Sequence, residues 1–178
     1  MQTLVVNLFG GPGVSKSTNM ALVFGKLKTK GINAEMAPEY AKALVWEKRH
    51  VALSEQQYII AKQIYWVTRL VGQVDVVVTD SPILFGLIYG KQPNKYWKQH
   101  VLSTFKSWNT CNFLLQRDPD KHLYVEKGRT QTEEEAVAVD KDIEVLLQAE
   151  GIHYWPVRVR ESDKTADAIV ELVEHALY

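Results

Sequence analysis

The feature that most constrains this chain is a strand pattern that runs straight into a glycine-rich loop and then a helix. Residues 3–9, "TLVVNLF", form a short, mostly apolar run bounded by glycine, as expected of a strand buried on both faces. "GGPGVSKST" follows at 10–18, and beyond it Met20, Val23, Phe24 and Leu27 recur at helical spacing. The loop fits the phosphate-binding pattern of Gly, four residues, Gly, Lys and then Ser or Thr, with Gly10, Lys16 and Ser17 in place and Ser15 where the last glycine is usual.

In such a loop the backbone N–H groups and the positive end of the following helix surround phosphate oxygens. Gly10, Gly11, Pro12, Gly13, Val14, Ser15, Lys16, Ser17 and Thr18 are therefore the candidate nucleotide-binding residues, with the Lys16 ammonium directed to the β and γ phosphates and the Ser17 hydroxyl to magnesium. Glycine serves where the backbone must approach the anion or take a conformation that a side chain blocks. A serine at position 15, at the start of a helix, is expected to be tolerated and to leave its N–H available to phosphate.

Downstream, "INAEM" reads as a short second strand, "EYAKALVWEKR" as a helix, and "SEQQYIIAKQIYWVTRLVGQ" as a longer helix opened by Ser54 as its cap, with Ile60, Ile64, Val67 and Val71 on one face. "DVVVTD" is a third strand, "NKYWKQHVLSTFKSW" a helix and "CNFLLQR" a fourth strand. "QTEEEAVAVDKDIEVLLQAEG" is a helix with Val139, Ile143, Leu146 and Leu147 inward and Gly151 as its stop. "HYWPVRV" and a helix over 164–177 close the order. Strands alternating with helices predict an α/β fold, a parallel sheet covered by helices on both faces, with ligands at the carboxyl ends of the strands. At 178 residues and 46% apolar content, the chain suits one domain, and no repeat, low-complexity tract or linker divides it.

The 21 basic residues balance the 21 acidic ones, so composition points to no strongly charged partner such as nucleic acid or an anionic membrane. Cys111 is the single cysteine, which leaves neither an intrachain disulfide nor a cysteine metal cluster and suits a small buried strand residue. No run of roughly eighteen apolar residues occurs and no basic segment precedes the first apolar stretch, so a soluble, cytoplasmic protein is expected.

"DVVVTDSP" ends a predicted central strand in Asp80, on the same rim as the glycine loop. A carboxylate there suits magnesium-bound water or the proton of an attacking hydroxyl; the alternative is a helix cap for "ILFGLIYG". A guanine-reading Asn-Lys-x-Asp is excluded, since "NKYW" at 94–97 has Trp97 in the acidic place. The larger helical lid and arginine signals of oligomeric ATPase motors have little room. A kinase needs a lid bearing arginine, because phosphoryl transfer spreads charge over oxygens that cations must stabilise while water is excluded. "QRDPDKHLYVEKGRTQTEEEA" supplies the content for one over about 117–133, with Arg117 at the end of the fourth strand and Arg129 just before a helix. Arg129 also suits a surface pair with Glu133 or Glu134.

In that order, "GGPGVSKST", "PEYAKALVWEKR", "VVVTDSP", "NFLLQR" and "KGRTQTEEEA" resemble the small phosphate-loop kinases of the nicotinamide riboside kinase type, and in particular the compact kinase-like ATPases of tailed bacteriophages, a group related to nucleoside and nucleotide kinases. The resemblance spans residues 10–136, is most specific in its first and last motifs, and departs from the group at Ser15. It implies an ATP- and Mg2+-dependent phosphotransferase, a three-layer sandwich on five parallel strands, and an acceptor-binding helical region at about 38–73. Glu39 matches an acidic residue that nucleoside kinases use near the acceptor hydroxyl, although a first-turn acid at a helix N-terminus is the other reading. Lys16, Asp80, Glu39, Arg117 and Arg129 make up the expected catalytic set.

For the acceptor, Trp46, Tyr58, Tyr65 and Trp66, interspersed with Gln56, Gln57 and Gln63, suit a flat heterocycle, rings stacking and amides reading its edge; helical aromatics also suit a core. Glu39, Tyr40, Trp46, Gln57 and Tyr58 are the candidate acceptor-binding residues. A nucleoside or nucleotide is one acceptor, and 5-hydroxymethyluracil in DNA is the other, which should bring a basic track such as Lys91, Lys95, Lys98 and Lys106. A third reading is a nucleotide-gated binding module or an ATPase with no acceptor. "LFGLIYG" and "YWKQH" are candidate homodimer surfaces.

Overall fold

The computed structural model describes residues 2–90, 94–118 and 132–178. In chain order its elements are β1 (Leu4–Phe9), α1 (Lys16–Thr29), β2 (Ala34–Met36), α2 (Tyr40–Trp46), α3 (His50–Ser54), α4 (Gln56–Thr68), β3 (Val76–Thr79), α5 (Phe85–Ile88), α6 (Lys95–Ser107), β4 (Asn109–Gln116), α7 (Glu133–Ala149), β5 (Trp155–Arg158) and α8 (Ser162–Leu177). The five strands form one all-parallel sheet in the order β2-β3-β1-β4-β5. Helices cover both faces, as the alternation of strand and helix requires.

β1 is central because each of its six residues can be buried. Alternate positions of a strand face opposite sides. Leu4, Val6 and Leu8 pack with Met20, Val23 and Leu27 of α1 and Ile169, Val170 and Val173 of α8. Phe9 packs on the other face with Ile60 of α4, Phe105 of α6 and Ile143 and Leu147 of α7, while Val5 meets Val67 of α4. Truncating a fully buried member such as Leu27 to alanine is expected to cost about 2–5 kcal/mol. Asn7 is the one polar residue of β1; its amide donates to Asn112 of β4 at 3.0 Å, and Asn112 donates to the carbonyl of His153 at 3.0 Å, so one buried side-chain chain crosses three neighbouring segments. Cys111 is buried in β4, as its composition reading anticipates, and burial pushes its thiol up to about 11.

Several helix boundaries differ from the sequence reading. The helix expected over "EYAKALVWEKR" ends at Trp46, because Lys48 takes a left-handed φ of 56°. Its N–H donates to Val45 at 3.1 Å and the Arg49 N–H to Leu44 at 3.0 Å, the paired bonds that close a helix through a left-handed residue. The short α3 follows, so Ser54 closes one helix and does not open the next: its hydroxyl donates to the Val51 carbonyl at 2.8 Å, and α4 begins after Glu55 with no side-chain cap. By contrast α7 opens on a reciprocal cap, Thr132 with Glu135, and stops before Gly151 at φ 63°. No helix among the described residues is long and apolar enough to cross a membrane.

Candidate functional site

The loop joining β1 to α1 lies at the carboxyl end of the central strand, where parallel α/β sheets receive ligands. Lys16, the first residue of α1, folds its side chain back over this loop. Its ammonium donates to the carbonyls of Gly10 at 2.7 Å and Gly11 at 2.8 Å and lies 5.6 Å from the centroid of the Phe85 ring. Burial lowers the Lys16 pKa to about 8, against the opposing pull of the Glu39, Asp80 and Asp140 charges and with a smaller push from Arg117. A cation held in this way is poised to exchange backbone carbonyls for a more strongly charged anion.

Ser15 holds the N-cap position of α1 but not the geometry expected of a capping serine. Its backbone is left-handed, φ 60° and ψ 28°, and its side chain makes no capping bond. That conformation costs a non-glycine residue about 1–2 kcal/mol, which is the physical reason glycine is usual here. Asn19 braces it: the Ser15 carbonyl accepts both the Asn19 N–H at 3.0 Å and the Asn19 amide at 2.9 Å.

Of the three acids whose charges act on Lys16, Asp80 and Glu39 lie in the segments after β3 and β2. Asp80 directly follows β3, is 2% exposed, and leaves its Oδ1 buried without a partner. It does not cap a helix, since α5 starts only at Phe85 with Leu84 at its cap. Glu39 precedes α2 in an extended conformation and also makes no side-chain cap. Burial raises its pKa, the Lys16 charge lowers it, and Asp80 raises it. An unpartnered buried carboxylate oxygen is costly and marks a position for a cation or a proton donor. Among the described residues no three His, Cys, Asp or Glu side chains converge to hold a metal. Magnesium commonly takes one or two protein oxygens together with phosphate oxygens, and the buried, unpartnered Asp80 oxygen is an acceptor of the kind it uses.

Arg117, a member of the expected catalytic set at the end of the fourth strand, engages the loop's own scaffold. Its Nε donates to Asp140 of α7 at 2.6 Å and its Nη2 to the carbonyl of Pro12 at 2.6 Å, while the other Asp140 oxygen accepts the Gly11 N–H. Gly11 is fixed by this packing: a Cβ there would stand 2.4 Å from the Ala136 carbonyl and 2.8 Å from Asp140. Arg129, most of the expected lid and Lys91 lie outside the described residues.

In the region proposed for an acceptor, Tyr40 meets Tyr58 and Trp66 edge to face at 5.8 and 5.7 Å, and the Tyr40 and Tyr58 hydroxyls are 2.8 Å apart. Tyr58 also borders a concavity of about 640 Å³ lined by Lys48, Arg49, His50 and Val51. Trp46 and Tyr65 stand exposed, as does Gln57. Gln63 is not a free reading group: fully buried, it accepts the Tyr40 N–H at 3.1 Å and donates to Ala37 and Pro38 at 3.2 Å, fixing the turn that carries Glu39. The "LFGLIYG" segment packs into the protein's own core through Leu84 and Phe85, whereas Tyr96 of "YWKQH" is exposed.

Phe85, Asn19 and Asp140 escaped the sequence reading. Phe85 lies five residues beyond Asp80, a spacing that could have suggested it, whereas nothing around Asp140 forms a motif. No protein-family model and no curated protein matches the chain. A solved structure, "Crystal structure of APE1195", is similar over 99% of this chain and 98% of that chain, with a TM-score of 0.53 and 16% identity. The likeness is one of fold alone, which in this chain is α/β with a five-stranded parallel sheet between helical layers.

Proposed function

We propose that this protein is an ATP- and magnesium-dependent phosphotransferase that moves the γ-phosphoryl group of ATP to a hydroxyl or phosphate of a nucleoside- or nucleotide-like small molecule. The observation that carries this reading is the Lys16 ammonium, held on a glycine loop under the charge of Asp80, a buried carboxylate with one unpartnered oxygen. A loop of this kind binds phosphate through backbone N–H groups and a lysine charge. Ser17 and Asp80 would hold magnesium, which when bound neutralises charge on the phosphoryl oxygens. Lys16 would leave the Gly10 and Gly11 carbonyls for phosphate oxygens. Glu39, with its raised pKa, suits the orientation of an acceptor hydroxyl and acceptance of its proton. Tyr40, Tyr58 and Trp66 offer an aromatic wall beside it. Arg129 remains the proposed cation over the transferring group. The same reading makes it a cytoplasmic enzyme.

The test is label transfer from γ-labelled MgATP to nucleosides, nucleoside monophosphates, nicotinamide riboside and DNA containing 5-hydroxymethyluracil, with Lys16→Ala as control. Label on a small molecule, lost in the Lys16 variant, is the expected result. Label on DNA alone would make the enzyme a base-modifying kinase. No transfer, or transfer indifferent to Lys16, would overturn the proposal.

A further inference from the structure

Asp140 lies two turns inside α7, far from any sequence motif, yet both of its carboxylate oxygens are engaged by the machinery of the glycine loop. One accepts the Gly11 N–H and the other takes Arg117 Nε at 2.6 Å. Arg117 passes the connection on, since its Nη2 donates to the Pro12 carbonyl at 2.6 Å. The Gly11 N–H and the Pro12 carbonyl, which belong to the peptide groups on either side of the Gly11–Pro12 peptide, are thereby held from one side. From the other side the Lys16 ammonium holds the Gly10 and Gly11 carbonyls at 2.7 and 2.8 Å. α7 approaches so closely that Gly11 has no room for a side chain against Ala136 and Asp140.

From this juxtaposition of Asp140, Arg117, Gly11 and Pro12 we infer that Asp140 is a positioning residue for the phosphate loop, setting the loop's first turn so that the following N–H groups are presented to phosphate. The inference rests on the nucleotide-binding reading above. Its chemistry separates it from a simple charge effect. A negative charge close to a phosphate site opposes anion binding, so removing it should tighten binding if charge were all that mattered. Positioning predicts the opposite sign. Asparagine has the shape of aspartate but brings one amide donor, which must confront either the Gly11 N–H or the Arg117 guanidinium, both donors themselves.

The experiment is calorimetric titration of the whole protein with MgATP, comparing wild type with Asp140→Asn and Arg117→Lys, together with hydrogen exchange of the Gly11 amide in the wild type. Weaker ATP binding in Asp140→Asn, by about tenfold and therefore about 1.4 kcal/mol, with the unfolding midpoint retained, is expected. Arg117→Lys, which lacks the planar fork, is expected to weaken binding in the same direction, and the Gly11 amide of the wild type to be protected. Unchanged or tighter ATP binding in a folded Asp140→Asn variant would overturn the inference while leaving the nucleotide reading intact. Should that variant fail to fold, rapid exchange of the wild-type Gly11 amide would overturn it. A wild type that binds no ATP would remove both.

Discussion

Lys16 is enclosed by two carbonyls, an aromatic ring and the charges of Glu39, Asp80 and Asp140, whereas Trp46, on the first helix after β2, is 75% exposed. Both lie in segments that leave the carboxyl ends of strands of the same parallel sheet, β1 and β2, which β3 separates. Around the first segment most polar groups are assigned to a neighbour; among the described residues the buried side-chain oxygens without one are Asn7 Oδ1, Asn19 Oδ1 and Asp80 Oδ1, and of these only the Asp80 oxygen belongs to a carboxylate. In the second, the turn carrying Glu39 is pinned by Gln63, the half-buried rings of Tyr40, Tyr58 and Trp66 meet edge to face, and Trp46 and Tyr65 are exposed. The contrast teaches that close packing fixes where charge is handled, whereas an exposed aromatic side chain on a helix surface has few neighbours to fix it. The two left-handed residues repeat it: Ser15 is braced by Asn19 in the loop, and Lys48 closes α2 at the margin of a concavity.

If that contrast is right, substitutions should divide by region. Lys16→Ala is expected to lower phosphoryl transfer by about 10²–10³-fold with the fold retained, as read by label transfer beside an unfolding curve; full activity would break the comparison at its root. Gly11→Ala should destabilise by about 1–3 kcal/mol through the contact with the Ala136 carbonyl, read as a lower denaturant midpoint. An unchanged midpoint would mean that α7 does not press on the loop. Ser15→Gly and Lys48→Gly should each relieve backbone strain, with a net gain below about 1 kcal/mol because glycine also loses more entropy on folding. A gain at only one of the two would sharpen the comparison by locating where the strain is sustained by the surroundings. Trp46→Ala should shift stability by no more than about 0.5 kcal/mol while raising KM for the acceptor; equal KM would remove Trp46 from the acceptor surface.

What the sequence made legible follows the range of the interactions concerned. The strand β1, the glycine loop and the first turn of α1 are read from one continuous stretch, residues 4–19, and the all-parallel sheet follows from the alternation of elements. Asp80 was found because a strand end is a local signal. Ser15 shows the limit of local reading: serine at a helix start suggests an extended capping conformation, yet the loop demands a left-handed one. Ser54 misled for a related reason, since the left-handed Lys48 that reorganises the segment is not a glycine and carries no turn signature. Gln63 looked like one of three equivalent amides on a helix, and only burial distinguishes it. Arg117 was named from its place at a strand end, but its pairing and that of Asp140 with the loop were beyond reach, because Pro12 and Gly11 lie 105 and 129 residues away and only the folded sheet brings them together.

The central claim is that Lys16 on the glycine loop receives the phosphates of a nucleotide. Because burial sets its pKa at about 8, about half of the free protein carries the charge at pH 8. An anionic ligand favours the charged form, so binding must take up a proton, and affinity must fall as pH rises through 8. Calorimetric titration with MgATP at pH 8, in buffers of different ionisation enthalpy, measures that proton directly. The account predicts uptake of about half a proton per nucleotide, absent in Lys16→Ala. Tight binding with no proton uptake, the same in both proteins, would contradict it.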